Sequence, residues 1–194
     1  MTRRPAPIDG RHLRRDQNRE AALEALIRLF SQGQYTPTSR QIADRAGLSL
    51  RSLTRYFDDF DDLIRSAIER IEQEAMQLVE LPIGPDRPTG EKISAIVANR
   101  IRLYEAVAPA ARAGRICAHR QPAVAEQMAR NRRFLQNQVA SLFSTEIERS
   151  GPELLCALDV LLSFESYDLL RSAHGMAPAE TASALDASLR LICA

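Results

Sequence analysis

The sequence predicts an all-α protein of about nine helices, an N-terminal three-helix domain with a helix-turn-helix followed by a helical bundle. Three observations predict it. Apolar residues recur at helical spacing and nowhere alternate with the period of two of a half-buried strand. Glycine and proline fall between the periodic runs, where helices stop. Residues 38–57, TSRQIADRAGLSLRSLTRYF, read as helix, glycine turn, helix.

The elements follow in order. Ala22, Leu26, Leu29 and Phe30 share one face of a helix from about Arg14 to Ser31, which Gly33 ends. Thr38 is a good N-cap for a short helix with Ile42, Ala43 and Ala46, stopped by Gly47. Ser49 can cap the next, which carries Leu53. Asp58, Asp59, Asp61 and Asp62 suit the positive end of a fourth helix, which runs to about Leu81. Residues 82–90, with three prolines and two glycines, form a connector. A helix from about Glu91 to Val107 is expected next, then a short one between Pro109, Gly114 and Pro122. Single helices are expected over 122–149 and 153–173, and a last one over 178–193 with Ala182, Leu185, Leu189 and Ile192 on a seam.

Composition narrows the function. The chain has 194 residues, 45% apolar and 26% charged, enough for one large domain or two small ones. No apolar run approaches a membrane span, and the first 16 residues do not read as a secretory signal. Cys117, Cys156 and Cys193 are odd in number and widely spaced, which fits neither a disulfide framework nor a zinc site. A cytoplasmic location is expected. The formal net charge of +1 hides an uneven distribution. Residues 1–57 carry +6, residues 58–91 carry −7, and the rest carry +2. A basic block beside a nearly neutral body suits a polyanion-binding head on a body with another task.

The helix-turn-helix supplies that head. Gly47 permits the positive φ of a sharp turn, and small or apolar Ile42, Ala43, Ala46, Leu48 and Leu53 let two helices cross steeply. A second helix of about 8 residues is roughly 12 Å long, the width of a major groove. Its outward Ser49, Leu50, Arg51, Ser52, Thr54 and Arg55 mix hydroxyls with guanidinium forks, which can reach bases and phosphates.

Residues 19–63 resemble the DNA-binding domain of the TetR family of bacterial transcriptional regulators. AALEALIRLFSQGQY is similar to that family's first helix, TSRQIADRAGLS to its second helix and turn, and LRSLTRYFDDFDDL to its recognition helix and the acidic start of its fourth. The resemblance implies a basic arm (1–15), a DNA-binding domain (16–58), and a ligand-binding and dimerisation domain (59–194). It implies a ligand-responsive repressor that binds a pseudo-palindrome in double-stranded DNA as a homodimer. Expected DNA contacts are Thr38, Arg40, Ser49, Leu50, Arg51, Ser52, Thr54, Arg55 and Tyr56. Leu50, Thr54 and Phe60 stand where the family often has Lys, Tyr and Lys, so phosphate anchoring is expected to pass to Arg3, Arg4, Arg11, Arg14 and Arg15 of the arm.

The body is expected to hold a small-molecule effector. Arg100, Tyr104, His119, Met128, Phe134 and Phe164 are its candidate contacts. Leu158, Leu161, Leu162, Leu185, Leu189 and Ile192 are the candidate dimer interface. Nothing points to a metal, a cofactor or an enzyme. His12, His119 and His174 lack metal-ligand spacing, and there is no G-x-S-x-G or phosphate-binding glycine loop. The competing reading is a helical protein-interaction or small-molecule carrier module whose helix-turn-helix does not read DNA.

Overall fold

A computed structural model describes the backbone of residues 10–194 and the side chains from Arg14 onward. All its regular elements are helical, and no strand occurs among the described residues. They form two compact units. One extends to Glu72 and includes Pro109–Val124, and the other comprises Gln73–Ala108 and Ala125–Ala194.

In the first unit, α1 (Gly10–Ser31) packs on α2 (Ser39–Ala46) and α3 (Leu50–Tyr56), and α4 (Phe60–Ala75) begins there. Leu26 and Phe30 from α1, Ile42 and Ala43 from α2, Leu53 from α3, and Leu63, Ile64 and Ala67 from α4 are all buried. Each short helix is started by its own side chains. The Thr38 hydroxyl accepts the Gln41 N–H at 3.3 Å, and the Gln41 carboxamide accepts the Thr38 N–H at 2.8 Å. That capping box satisfies amides that a helix start leaves without partners. Gly47 ends α2 at φ 67°, the left-handed turn expected there. Ser49 caps α3 through the Ser52 N–H at 3.1 Å. The Asp59 carboxylate accepts the Asp62 N–H at 2.7 Å at the start of α4.

Arg11, Arg14 and Arg15 belong to α1, because that helix starts at Gly10. The expected arm therefore loses its last six residues to a helix, whose interior amides need no DNA to be satisfied. Arg3 and Arg4 lie outside the described residues.

The second unit contains a 3-10 turn (Met76–Leu78) and parts of α5 (Thr89–Ala118) and α6 (Pro122–Leu142). It also holds α7 (Ser144–Ser150), α8 (Pro152–Leu161), α9 (Phe164–Asp168), a π-helical turn (Leu169–Ala173) and α10 (Pro178–Ile192). Its core includes Ile93, Ile96, Val97, Leu142, Phe143, Leu158 and Leu189.

Three expected boundaries differ. Pro109 does not end a helix; it lies inside the 30-residue α5. The ring removes one intrahelical bond, but strong helix formers flank it, and Ala108, Ala110 and Ala113 are buried. The expected helix 122–149 is interrupted at Phe143, which leaves helical geometry at φ −106° and ψ 22° while its ring is fully buried. The expected helix 153–173 breaks after α8. Ser163 is extended and caps a new helix by accepting the Ser166 N–H at 3.1 Å. Such serine caps compete with helix continuation.

Candidate functional site

On α3 the structure sorts the expected contact residues by what else they touch. Arg51 is exposed, as are Arg40 and Arg45 on α2, and none of the three has a bonded acid among the described residues. Leu50 is 40% exposed, so an apolar side chain stands beside Arg51 at the outer start of the helix. Ser49 and Ser52 share their hydroxyls at 2.9 Å within the cap. The Thr54 hydroxyl donates back to the Leu50 and Arg51 carbonyls at 3.3 and 3.2 Å. Arg55 donates to the Tyr56 hydroxyl at 3.0 Å and lies 5.2 Å from that ring's centroid. Tyr56 itself is only 6% exposed. Its hydroxyl also accepts from Asn18 at 2.8 Å, and the bonds from Asn18 and then Arg55 hold its pKa below the usual phenol value. Tyr56 thus ties α3 to α1. Thr38 is exposed but is occupied by its cap.

Phe57 is buried with the Arg19 guanidinium 5.0 Å from its ring centroid. Phe60 is 38% exposed and lines a small cleft of about 70 Å³ with Ser39, Thr54, Phe57 and Asp59. Effector pockets run to about 300–1,000 Å³, so this cleft is too small for one.

The expected effector contacts differ in burial. His119 is exposed and belongs to the first unit. In the second unit Phe134 is 50% exposed and Met128 half-buried, whereas Arg100, Tyr104 and Phe164 are buried. Tyr104 and Phe164 meet edge to face at 5.5 Å, with Tyr167 as the third ring, 5.4 Å from Tyr104. The Tyr104 hydroxyl donates to the Leu162 carbonyl at 2.6 Å. Burial, then its bond to the Glu105 carboxylate, pushes the Tyr167 phenol up to about 12.

Arg100 is 1% exposed. It donates to Asn99 Oδ1 at 2.9 Å and to the Leu135 carbonyl at 3.2 Å, and its Nε has no partner among the described residues. Burial pushes its pKa below the usual arginine value. Sequence reasoning missed Asn99 and Gln138. The signal was an Asn-Arg pair flanked by Ile96, Val97, Ala98 and Ile101 on α5.

The expected dimer residues divide by burial within a single chain. Leu158, Leu162, Leu185 and Leu189 are at most 3% exposed within a single chain, because α8 and α10 pack on each other. They belong to the protomer's own core and have no surface left to offer a partner. Leu161 is half-buried and Ile192 is 37% exposed. The large apolar groups left open in this region are Val160, Leu169 and Leu191, at 58%, 55% and 80%.

No helix among the described residues is long and apolar enough to cross a membrane. No group of three or more His, Cys, Asp or Glu among them could hold a metal ion.

No protein-family model matches the sequence. No curated protein matches it. Solved structures do. A transcriptional regulator from Rhodococcus sp. Rha1 aligns with a TM-score of 0.67 at 18% identity, over 90% of this chain and 95% of its own. A protein assigned as a TetR-family transcriptional regulator from Rhodococcus sp. aligns at 0.65 and 16% identity, over 91% and 99%. The multidrug binding protein EbrR, complexed with imidazole, aligns at 0.63 and 19% identity, over 99% and 97%. These neighbours are two regulators and a multidrug binding protein, and they match across both units. Over nearly its whole length, the chain has the fold of the TetR-family transcriptional regulators.

Proposed function

We propose that the chain is a ligand-responsive transcriptional regulator, a repressor, that binds double-stranded DNA as a homodimer in the cytoplasm. The observation that carries this reading is α3. It is a short helix, capped at its start, held by Leu53 and Tyr56, and it presents Arg51 and Thr54 outward beside the acid-free guanidiniums of α2. Permanent charges without acid partners are the groups that phosphates attract and guanines pair with. In this reading Arg51 contacts bases, and Arg40, Arg45 and Arg55 contact the backbone. Ser49 and Ser52 hold the helix in shape, and Tyr56 braces it.

A two-fold axis would set two such helices on a pseudo-palindrome. The open Val160, Leu169, Leu191 and Ile192 are the dimer contacts this proposal uses. A small molecule held in the body would favour one helix spacing over another, with a coupling of about 1–3 kcal/mol. The complex of EbrR with imidazole supports a small-molecule role for a body of this fold.

Selection from a random duplex pool, followed by mobility shift at rising salt, tests the reading. A regulator enriches an inverted repeat and loses affinity steeply with salt. Failure to enrich any sequence, with no shift at low salt, would leave the carrier-module reading in its place.

A further inference from the structure

α3 buries Leu53 and Tyr56 and leaves Leu50 open, at 40% exposure. At about 100° per residue, Leu50, Thr54, Arg51 and Arg55 follow one another around an outward arc of about 140°. All four are exposed. The Thr54 hydroxyl donates to the Leu50 carbonyl at 3.3 Å, which ties the two on successive turns. A single open leucine is ordinary on a protein surface. The company of Leu50 is not. Arg51 on the same arc, and Arg40 and Arg45 on α2, are exposed and have no bonded acid among the described residues. Docking of those guanidiniums on a polyanion would carry Leu50 from water into the interface.

What Leu50 can meet in a major groove follows by elimination, because leucine has no donor and no acceptor. It cannot neutralise a phosphate. Against guanine it would cover the N7 and O6 acceptors, against adenine N7 and the N6 amino group, and against cytosine the N4 amino group. Each covered group loses its water and gains no partner, which costs more than one apolar contact returns. Thymine alone presents an apolar group on its major-groove edge, the 5-methyl. Burial of one such carbon group corresponds to about fourfold in affinity.

Phe60 is also open, at 38%, and lines the same small cleft as Thr54. Asp58 and Asp59 line that cleft too, and their carboxylates oppose the charge of DNA. Leu50, with guanidiniums for neighbours, is the better placed of the two.

We propose that Leu50 is a specificity-determining residue, which selects a thymine in each half-site through its 5-methyl group. The assignment rests on the reading of α3 as the helix that reads DNA, and adds a base to it.

The test uses the full chain and the duplex enriched by selection. Each thymine is replaced in turn by deoxyuridine, which keeps the pairing edge and lacks only the methyl. The expected result is a thymine in each half-site at which uracil weakens binding by about fourfold, and by about 16-fold when both half-sites carry it. Leu50→Ala should bind the thymine duplex more weakly and no longer distinguish it from the uracil duplex. Cytosine at the same position should bind poorly, and 5-methylcytosine should recover part of the loss in the wild type and none in the variant. Phe60→Ala should keep the full ratio of thymine to uracil. The uracil scan alters only the DNA, so it stands whatever a variant does to the fold. The absence of any thymine whose uracil form binds more weakly would overturn the proposal. So would uracil sensitivity that persists in full in Leu50→Ala, or that disappears in Phe60→Ala. A selection that enriches no sequence overturns the regulator reading and this assignment together. A selected, salt-sensitive duplex that is indifferent to uracil overturns this assignment alone.

Discussion

Lys92 and Glu146 face each other at 2.7 Å with side chains 1% and 5% exposed, and Thr89 bonds the same carboxylate at 2.6 Å. Burial by itself would raise the Glu146 pKa. The bonds from Lys92 and Thr89 outweigh it and hold the group below the usual carboxylate value. A depressed folded pKa contributes stability that is present above the unfolded value and lost as pH falls through the folded one. The chain should therefore lose this contribution on acidification below about pH 4.3, the unperturbed Glu value. Glu146→Gln strands a buried ammonium and should cost about 3–5 kcal/mol at neutral pH, whereas Lys92→Met with Glu146→Leu should cost far less. Urea melts of the three proteins at pH 7 and 4 check both statements. A single variant no less stable than the double would contradict them.

Arg51→Ala should weaken binding to the selected duplex by about 1–3 kcal/mol, because alanine cannot make the bidentate bond to a base. The weakening on random duplex should be much smaller. Equal effects on both, by titration in one buffer, would demote Arg51 to a phosphate contact.

Removal of residues 2–9 takes away Arg3 and Arg4 but leaves α1 to begin at Gly10. The log–log salt dependence of DNA binding should flatten by about 0.9 for each phosphate that these arginines neutralise. An unchanged slope would mean that this segment does not touch the backbone.

Burial separates two kinds of leucine in α10. Leu189 is fully buried, so Leu189→Arg should unfold the second unit. Leu191 and Val160 are 80% and 58% exposed, so arginine at both should leave the melting temperature nearly unchanged while dissociating the proposed dimer. Sedimentation together with thermal melts distinguishes the cases. A double variant that still sediments as a dimer would exclude these two residues from the interface.

The first unit was legible in the sequence because its signals are local. Thr38, Gln41, Gly47 and Ser49 act within four residues of themselves, so caps and turn could be read without a partner helix. The second unit was less legible because long-range packing decides it. The apolar period of Leu158 and Leu189 is the same whether a seam meets its own chain or another copy. Pro109 looked like a stop, since propensity ranks it so, and flanking alanines and burial overrode it. The lack of an acid beside Arg100 cannot be seen in a sequence at all, because pairing depends on which helices meet.

The hydroxyl of Thr54 has already given its one hydrogen to the backbone of its own helix. It therefore faces outward with lone pairs only. In a major groove such an atom can approach the exocyclic amino groups of adenine and cytosine, and finds nothing to take from thymine O4 or from guanine O6 and N7. Arg51, one turn earlier, has the opposite polarity and can only give, which suits guanine. One outward turn of this helix thus carries a giver at Arg51 and a taker at Thr54, so in the proposed DNA complex guanine would suit the first and adenine or cytosine the second, the second choice being set by a bond that stays within the helix.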